Sequence, residues 1–230
     1  MRGAVRLTFG PGAARRVWLS KGKLSPIWAP MPPDQAKPAE IAAEPTDGRV
    51  RRGQDNRARI VAAMLELIQA GDVSPGAEAV AARADVGLRT VFRHFKDMDS
   101  LYSEMSQVIF GELRAVADTP FVAEDWKGRV LELVSRRAFG FEKIAPFRRA
   151  ADAQRHGSRF LDADHARFVA AQREIVRREV PPEIARDLPV FEALDLLLSY
   201  ETWSRLRREQ DLSPRQAREV VEGLVRRLLA

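Results

Sequence analysis

The residues best equipped for chemistry crowd into one short run, Val86 to Phe95, VGLRTVFRHF. Arg89, Thr90, Arg93 and His94 place two guanidinia, a hydroxyl and an imidazole beside the buriable Val91, Phe92 and Phe95. Arginine can donate bidentately to guanine or to a phosphate, threonine can bond either, and an apolar tip such as Leu88 can touch a thymine methyl. His94 would need a visible partner to serve as a general base, and the sequence shows none. A hydrogen bond from His94 to a phosphate is the expected role.

A second candidate is HGSRFLDADH, with His156, Asp162, Asp164 and His165. Its spacing matches no dedicated metal motif. Asp162 and His165 would be i,i+3 neighbours on a helix, and a solvated acidic face is the expectation. The chain has no cysteine, which excludes disulfides, thiolate zinc sites and cysteine nucleophiles. Neither an enzyme, a metal nor a cofactor is expected.

Charge is unevenly placed. Residues 1–53 carry ten Lys or Arg against four Asp or Glu, an excess of six, whereas residues 54–230 carry 28 of each sign. The net charge of +6 is therefore a property of the leader. A basic arm on a neutral body suits a phosphate-backbone partner, and equally a solvated tail. The arm is rich in proline, lacks a helical or strand period, and is expected to be disordered. Met31 opens MPPDQAKPAE, an ordinary bacterial start, so residues 1–30 are expected to be a mis-assigned leader. Arg51, Arg52, Arg57 and Arg59 read equally as a solvated run or as contacts to phosphates or the minor groove. No run reaches the ~18–20 apolar residues a bilayer span needs, and no secretory h-region is present. A soluble, cytoplasmic protein is expected.

The elements that must position these residues are helical from Gln54 onward, with no convincing strand. Val61, Met64, Leu65 and Ile68 form an apolar stripe that Gly71 can end in a left-handed cap. A short helix over 77–84 and another over LRTVF follow. Leu101, Met105, Val108, Ile109, Leu113 and Val116 stripe a longer helix with Asp97 or Asp99 as N-cap. Further helices are expected at roughly 125–145, 147–156, 159–179, 190–209 and 214–229. VPPEIARDLP forms a break, and Ser213-Pro214-Arg215-Gln216 forms a capped helix start.

Two short helices split by a tight turn behind a longer helix make a helix-turn-helix. Ala81, Ala82 and Ala84 would let the second helix cross closely, and Val80 would pack within the unit. Asp85 would take the positive-φ turn position, and Val86 would plug the turn. Val91, Phe92 and Phe95 would anchor the unit inward. Leu88, Arg89, Thr90, Arg93 and His94 would then face a major groove.

From Gln54 to Met105 the chain resembles the DNA-binding domain of the TetR family of bacterial transcriptional regulators. The family pattern IA..AGVS..T.Y.HF..K..L stands here as VAARADVGLRTVFRHFKDMDSL. Val80-Ala81, Ala84, Val86, Thr90, His94-Phe95 and Leu101 match it. Asp85 stands for the usual Gly, Gly87 for Ser, Phe92 for Tyr with loss of a phosphate-contacting hydroxyl, and Met98 for Lys. Lys96 can replace that lysine, and Ser74 can take the cap that Gly76 vacates. The C-terminal SYETWSRLRREQDLSPRQAREVVEGLVRRLLA is similar to the last two helices of many such regulators.

The resemblance implies an all-α homodimer that binds a near-palindromic operator on double-stranded DNA through residues 54–105. Residues 106–230 would hold a small-molecule effector and dimerise, and effector binding would release the operator. Trp126, Phe139, Phe147 and Phe168 are the expected pocket residues, and the Arg pairs 136–137 and 148–149 could orient an anion. Leu194, Leu197, Val221, Leu224 and Leu228 are the expected dimer contacts. A binding module of the same fold without an effector is the alternative.

Overall fold

Helix boundaries follow the capping chemistry in a computed structural model whose described residues are 48–230, excluding the side chains of 48–52, Glu112, Ala115 and Val116. The basic leader through residue 47, and Met31 with it, lies outside the described residues, as do the side chains of Arg51 and Arg52. The described residues hold ten α-helices and no strand. In chain order these are α1 (Gly48–Gln69), α2 (Ala77–Arg83), α3 (Leu88–His94), α4 (Met98–Ala117) and α5 (Trp126–Gln154), followed by α6 (Arg159–Glu179), α7 (Pro182–Arg186), α8 (Leu188–Leu197), α9 (Tyr200–Arg208) and α10 (Pro214–Leu228). A 3-10 turn, Arg155–Gly157, joins α5 to α6. No helix among the described residues is long and apolar enough to cross a membrane.

Several ends form as their residues dictate. Gly71 takes φ +104° after α1, with its N–H on Ile68 O and that of Asp72 on Leu67 O, so the last carbonyls of α1 are satisfied. Asp97, not Asp99, starts α4: its carboxylate accepts from Ser100 N at 2.8 Å. Ser213 and Gln216 cap each other at the start of α10, with Pro214 at the first turn. α1 itself begins at Gly48, so residues 48–53, expected in the arm, are helical.

Three further boundaries differ from expectation. α5 runs unbroken through Pro146, where two helices were expected. A proline inside a helix costs about 3 kcal/mol. Here Phe141, Ile144, Phe147, Arg148 and Ala150 are buried on both sides of it, and that packing holds the helix together. The expected helix 190–209 is two, because Ser199 accepts from Thr202 N at 3.1 Å and starts α9. The break leaves Leu198 O to a buried donor, the Arg137 guanidinium, which also donates to Gln172 O at 2.6 Å. Burial lowers the Arg137 pKa to about 10, Asp195 opposing. Finally, the proline-rich break contains α7, with Pro182 in its first turn.

The apolar residues gather into two clusters within the unit formed by residues 39–230. One centres on α1–α4, with Ile60, Met64, Val80, Val91, Phe95, Leu101 and Met105. It also takes Phe147 and Ala150 from α5 and Leu161 from α6. The other is built from α5, α6 and α8–α10, with Val130, Phe141, Phe168, Phe191, Leu194, Trp203, Val221 and Val225. Val108, expected in the α4 stripe, is exposed.

Candidate nucleic-acid interface

α2 and α3 are joined by a turn whose geometry comes from Asp85. Its φ is +52°, the left-handed region in which Asp is tolerated less well than Gly. The N–H of Asp85 reaches Ala82 O and that of Val86 reaches Ala81 O, closing the end of α2 as Gly71 closes α1. Val80, Ala81, Ala84, Val91 and Phe95 are buried, and Val86 packs against them. Ala82 is exposed and takes no part in the crossing.

Phe92 is not an inward anchor. It is 51% exposed. Val91 and Phe95 are i,i+4 neighbours and define the inner face of α3; Leu88 and Phe92 form a second i,i+4 pair turned away from it. Leu88 is 38% exposed, Arg89, Arg93 and Lys96 are exposed, and Thr90 is half-buried. The outer face is thus two apolar side chains beside two cations, with Lys96 as a third just past the end of the helix. None of Arg89, Arg93 and Lys96 pairs with a carboxylate among the described residues. α3 is seven residues, about 10 Å of helix, a length that a major groove about 12 Å wide accepts.

Two arginines with open roles are occupied inside the protein. Arg57 donates from Nε to Glu104 Oε1 at 2.8 Å and from Nη1 to His94 O at 2.6 Å, and lies 4.4 Å above the Phe95 ring. It ties α1 to the end of α3 and to α4. Arg59 donates to Ala84 O at 2.6 Å and approaches Asp85 Oδ2 at 3.5 Å, so it supports the turn.

His94 and Ser74 sit elsewhere than expected. The Nε2 of His94 is buried without a hydrogen-bond partner, and Gly53 of α1 lies close over the ring, within 3.9 Å of Cε1 for an added Cβ. Burial, then Arg93 and Arg57, lower its pKa from 6.5. This nitrogen is sealed from a phosphate. Ser74 does not cap α2, whose N-cap Gly76 has no side-chain bond. Its hydroxyl accepts from Gln154 Nε2 at 2.8 Å, joining the α1–α2 loop to the end of α5. Gly87 likewise starts α3 without a side-chain cap.

None of the four expected pocket residues lines the cavity beside Arg137 or the crevice between α5 and α9. Phe147 is buried in the α1–α4 cluster, and Phe168 packs against Phe110 and Tyr200 at 6.3 and 6.4 Å. Phe139 is 54% exposed beneath Lys143, and Trp126 packs at the start of α5. A cavity of about 10 Å³ beside Arg137, Phe141 and Leu198 has room for one water. Arg136 is held by Glu132 at 2.6 Å and lies over Phe121, while Arg148 is buried against His165 and Phe168. His165 Nδ1 meets Arg148, and no group of three His, Cys, Asp or Glu among the described residues could hold a metal ion.

Of the expected dimer contacts, Leu194 and Val221 are buried in the chain's own core, and Leu197 and Leu228 pack against it. Leu224 is exposed, together with Val220 on the same helix and Leu196 on α8. Sequence reasoning missed Phe92 on the outer face and Glu104 as the partner of Arg57. The 88/92 spacing could have revealed the first; the second is a long-range pairing with no local signal. No family model matches the chain, and no curated protein matches it.

Proposed function

We propose that this chain is a sequence-specific regulator of transcription, similar to the tetracycline-repressor family, that binds double-stranded DNA through α3. The observation that carries the reading is the outer face of α3: Arg89 and Arg93 are exposed and unpaired beside Leu88 and Phe92, with Lys96 exposed and unpaired just past the end of the helix. Cations without internal partners favour phosphates and guanine edges, and apolar side chains among them suit thymine methyls. In this reading Arg57 and Arg59 hold the head rigid instead of touching DNA. A homodimer, formed through exposed apolar residues such as Leu196, Val220 and Leu224, presents two heads to a near-palindromic operator. A small-molecule effector shifts the balance by its differential affinity for the DNA-competent state.

Fluorescence anisotropy on DNA from upstream of the protein's own gene tests the reading, beside scrambled DNA of equal length and across a salt series. Tight binding to the upstream fragment, weakened by salt and by Arg93→Ala or Arg89→Ala, is expected. Wild-type affinity in both variants would remove α3 as the reading element.

A further inference from the structure

A crevice of about 250 Å³ lies between α5 and α9, away from the DNA-facing head. Its walls are two helix faces. Glu142, Ala145 and Arg149 fall at i, i+3 and i+7 on α5. Tyr200, Trp203, Ser204, Arg207 and Arg208 fall at i, i+3, i+4, i+7 and i+8 on α9. The helices run antiparallel: Glu142 meets Trp203 and Arg207, whereas Tyr200 lies near Arg148, one residue from Arg149.

The charges of this crevice separate by that geometry. Glu142 is consumed locally: it accepts from Arg207 Nε at 2.7 Å, Arg207 Nη2 at 3.2 Å and Trp203 Nε1 at 2.9 Å. Arg149 and Arg208 make no hydrogen bond or ion pair among the described residues. They stand at opposite ends, because Tyr200 and Arg208 are eight residues apart, about 12 Å along α9. Between them the lining is Ala145, Tyr200, Trp203 and Ser204, with the neutralised Glu142–Arg207 pair beside Trp203. The arrangement is an unpaired cation at each end and, between them, a floor in which Ala145 and Trp203 supply the apolar part.

We propose that this crevice binds a small, elongated organic dianion with an aliphatic middle, an α,ω-dicarboxylate, with one carboxylate on Arg149 and the other on Arg208. Each carboxylate would gain a charge-assisted, bidentate arginine contact, and the methylenes would lie against Ala145 and Trp203. The volume falls just under the ~300–1,000 Å³ of ordinary ligand pockets, which limits the occupant to a short chain. A single carboxylate would leave one guanidinium unmatched.

Isothermal titration of the full chain in low-salt buffer tests this without DNA, so its outcome is independent of the DNA-binding proposal. The probes are succinate, adipate and suberate, with hexanoate as the one-ended control and inorganic phosphate as the compact anion. Saturable binding that passes through an optimum chain length, at least tenfold tighter than hexanoate, is expected. Arg149→Gln and Arg208→Gln should each reduce the best dicarboxylate to the level of hexanoate, with unchanged circular dichroism. The proposal is overturned if no dicarboxylate binds, if hexanoate or phosphate binds equally well, or if both variants bind like the wild type.

Discussion

Replacing Arg57 by methionine keeps the aliphatic stem and removes the guanidinium that joins α1, α3 and α4. Three interactions go with it. The ion pair with Glu104 is 41% and 31% exposed on its two sides, so solvent screening leaves it about 0.5–1 kcal/mol. The charged hydrogen bond to His94 O, near the end of α3, contributes about 1.5 kcal/mol. The stack on Phe95 adds about 0.5–1 kcal/mol. These groups touch one another and are not additive, so a loss of about 2 kcal/mol is expected. Urea unfolding at constant m measures it, and a cycle with Glu104→Gln should return a coupling of about 0.5–1 kcal/mol. A phosphate-contacting Arg57 would behave differently: stability would hold, while the salt dependence of DNA binding would fall by about 0.9 in log–log slope per head. Arg57→Met within about 0.5 kcal/mol of wild type, with a reduced salt slope, would refute the assignment.

Asp85→Gly should raise stability by about 0.5–1 kcal/mol, because glycine accepts φ +52° without steric cost; a drop in melting temperature would show that the contact with Arg59 outweighs the backbone. Acid should destabilise the protein from about pH 6.5 downward. The pKa of His165 is lowered by burial, then by Arg148 and Arg155, with Glu201 and Asp152 opposing, and that of His94 is lowered as well. The unfolded chain then binds more protons, so this stability is present above pH 6.5 and lost as pH falls through the folded pKa values. His165→Gln should flatten the urea midpoint between pH 7.5 and 5.5 (round working limits about 1 unit either side of the free-histidine value), and an unchanged profile would exclude His165 as a contributor. Leu224→Glu should convert a dimer to a monomer in sedimentation at unchanged helicity, since Leu224 is exposed and outside the core; a persisting dimer would move the interface off this face of α10.

Local signals located most of the helices, and for physical reasons. Caps act within four residues, so Gly71, Asp97 and Ser213 could be read directly from their neighbours. The apolar stripe of α1 was legible because that helix buries one face. The continuity of α5 was not legible: both halves were expected as helices, but Pro146 suggested a break that packing overrides. The division of α8 from α9 was hidden by the leucine-rich run before Ser199, although Ser199 was itself the signal. In the candidate interface, composition identified the segment, but the assignment of each arginine required partners distant in sequence. Arg57 and Arg59 look like a basic run until Glu104, His94 O and Ala84 O are placed beside them. Phe92 was misplaced because a single aromatic in a short helix resembles an anchor, and only its pairing with Leu88 reveals its side.

One helix is common property of both cores. α5 extends about 43 Å, contributes Val130, Leu133, Phe141 and Ile144 to one cluster, and delivers Phe147 and Ala150 to the other. Neither core can melt without stripping side chains from a rod the other still grips. The described chain should therefore lose its structure in one cooperative step: calorimetry should give a single endotherm with equal calorimetric and van't Hoff enthalpies, and two resolved transitions would contradict this. The thermodynamic consequence is shared fate. A lesion confined to the head, such as the loss of Arg57, lowers the melting temperature of the helices that line the crevice as much as that of α3.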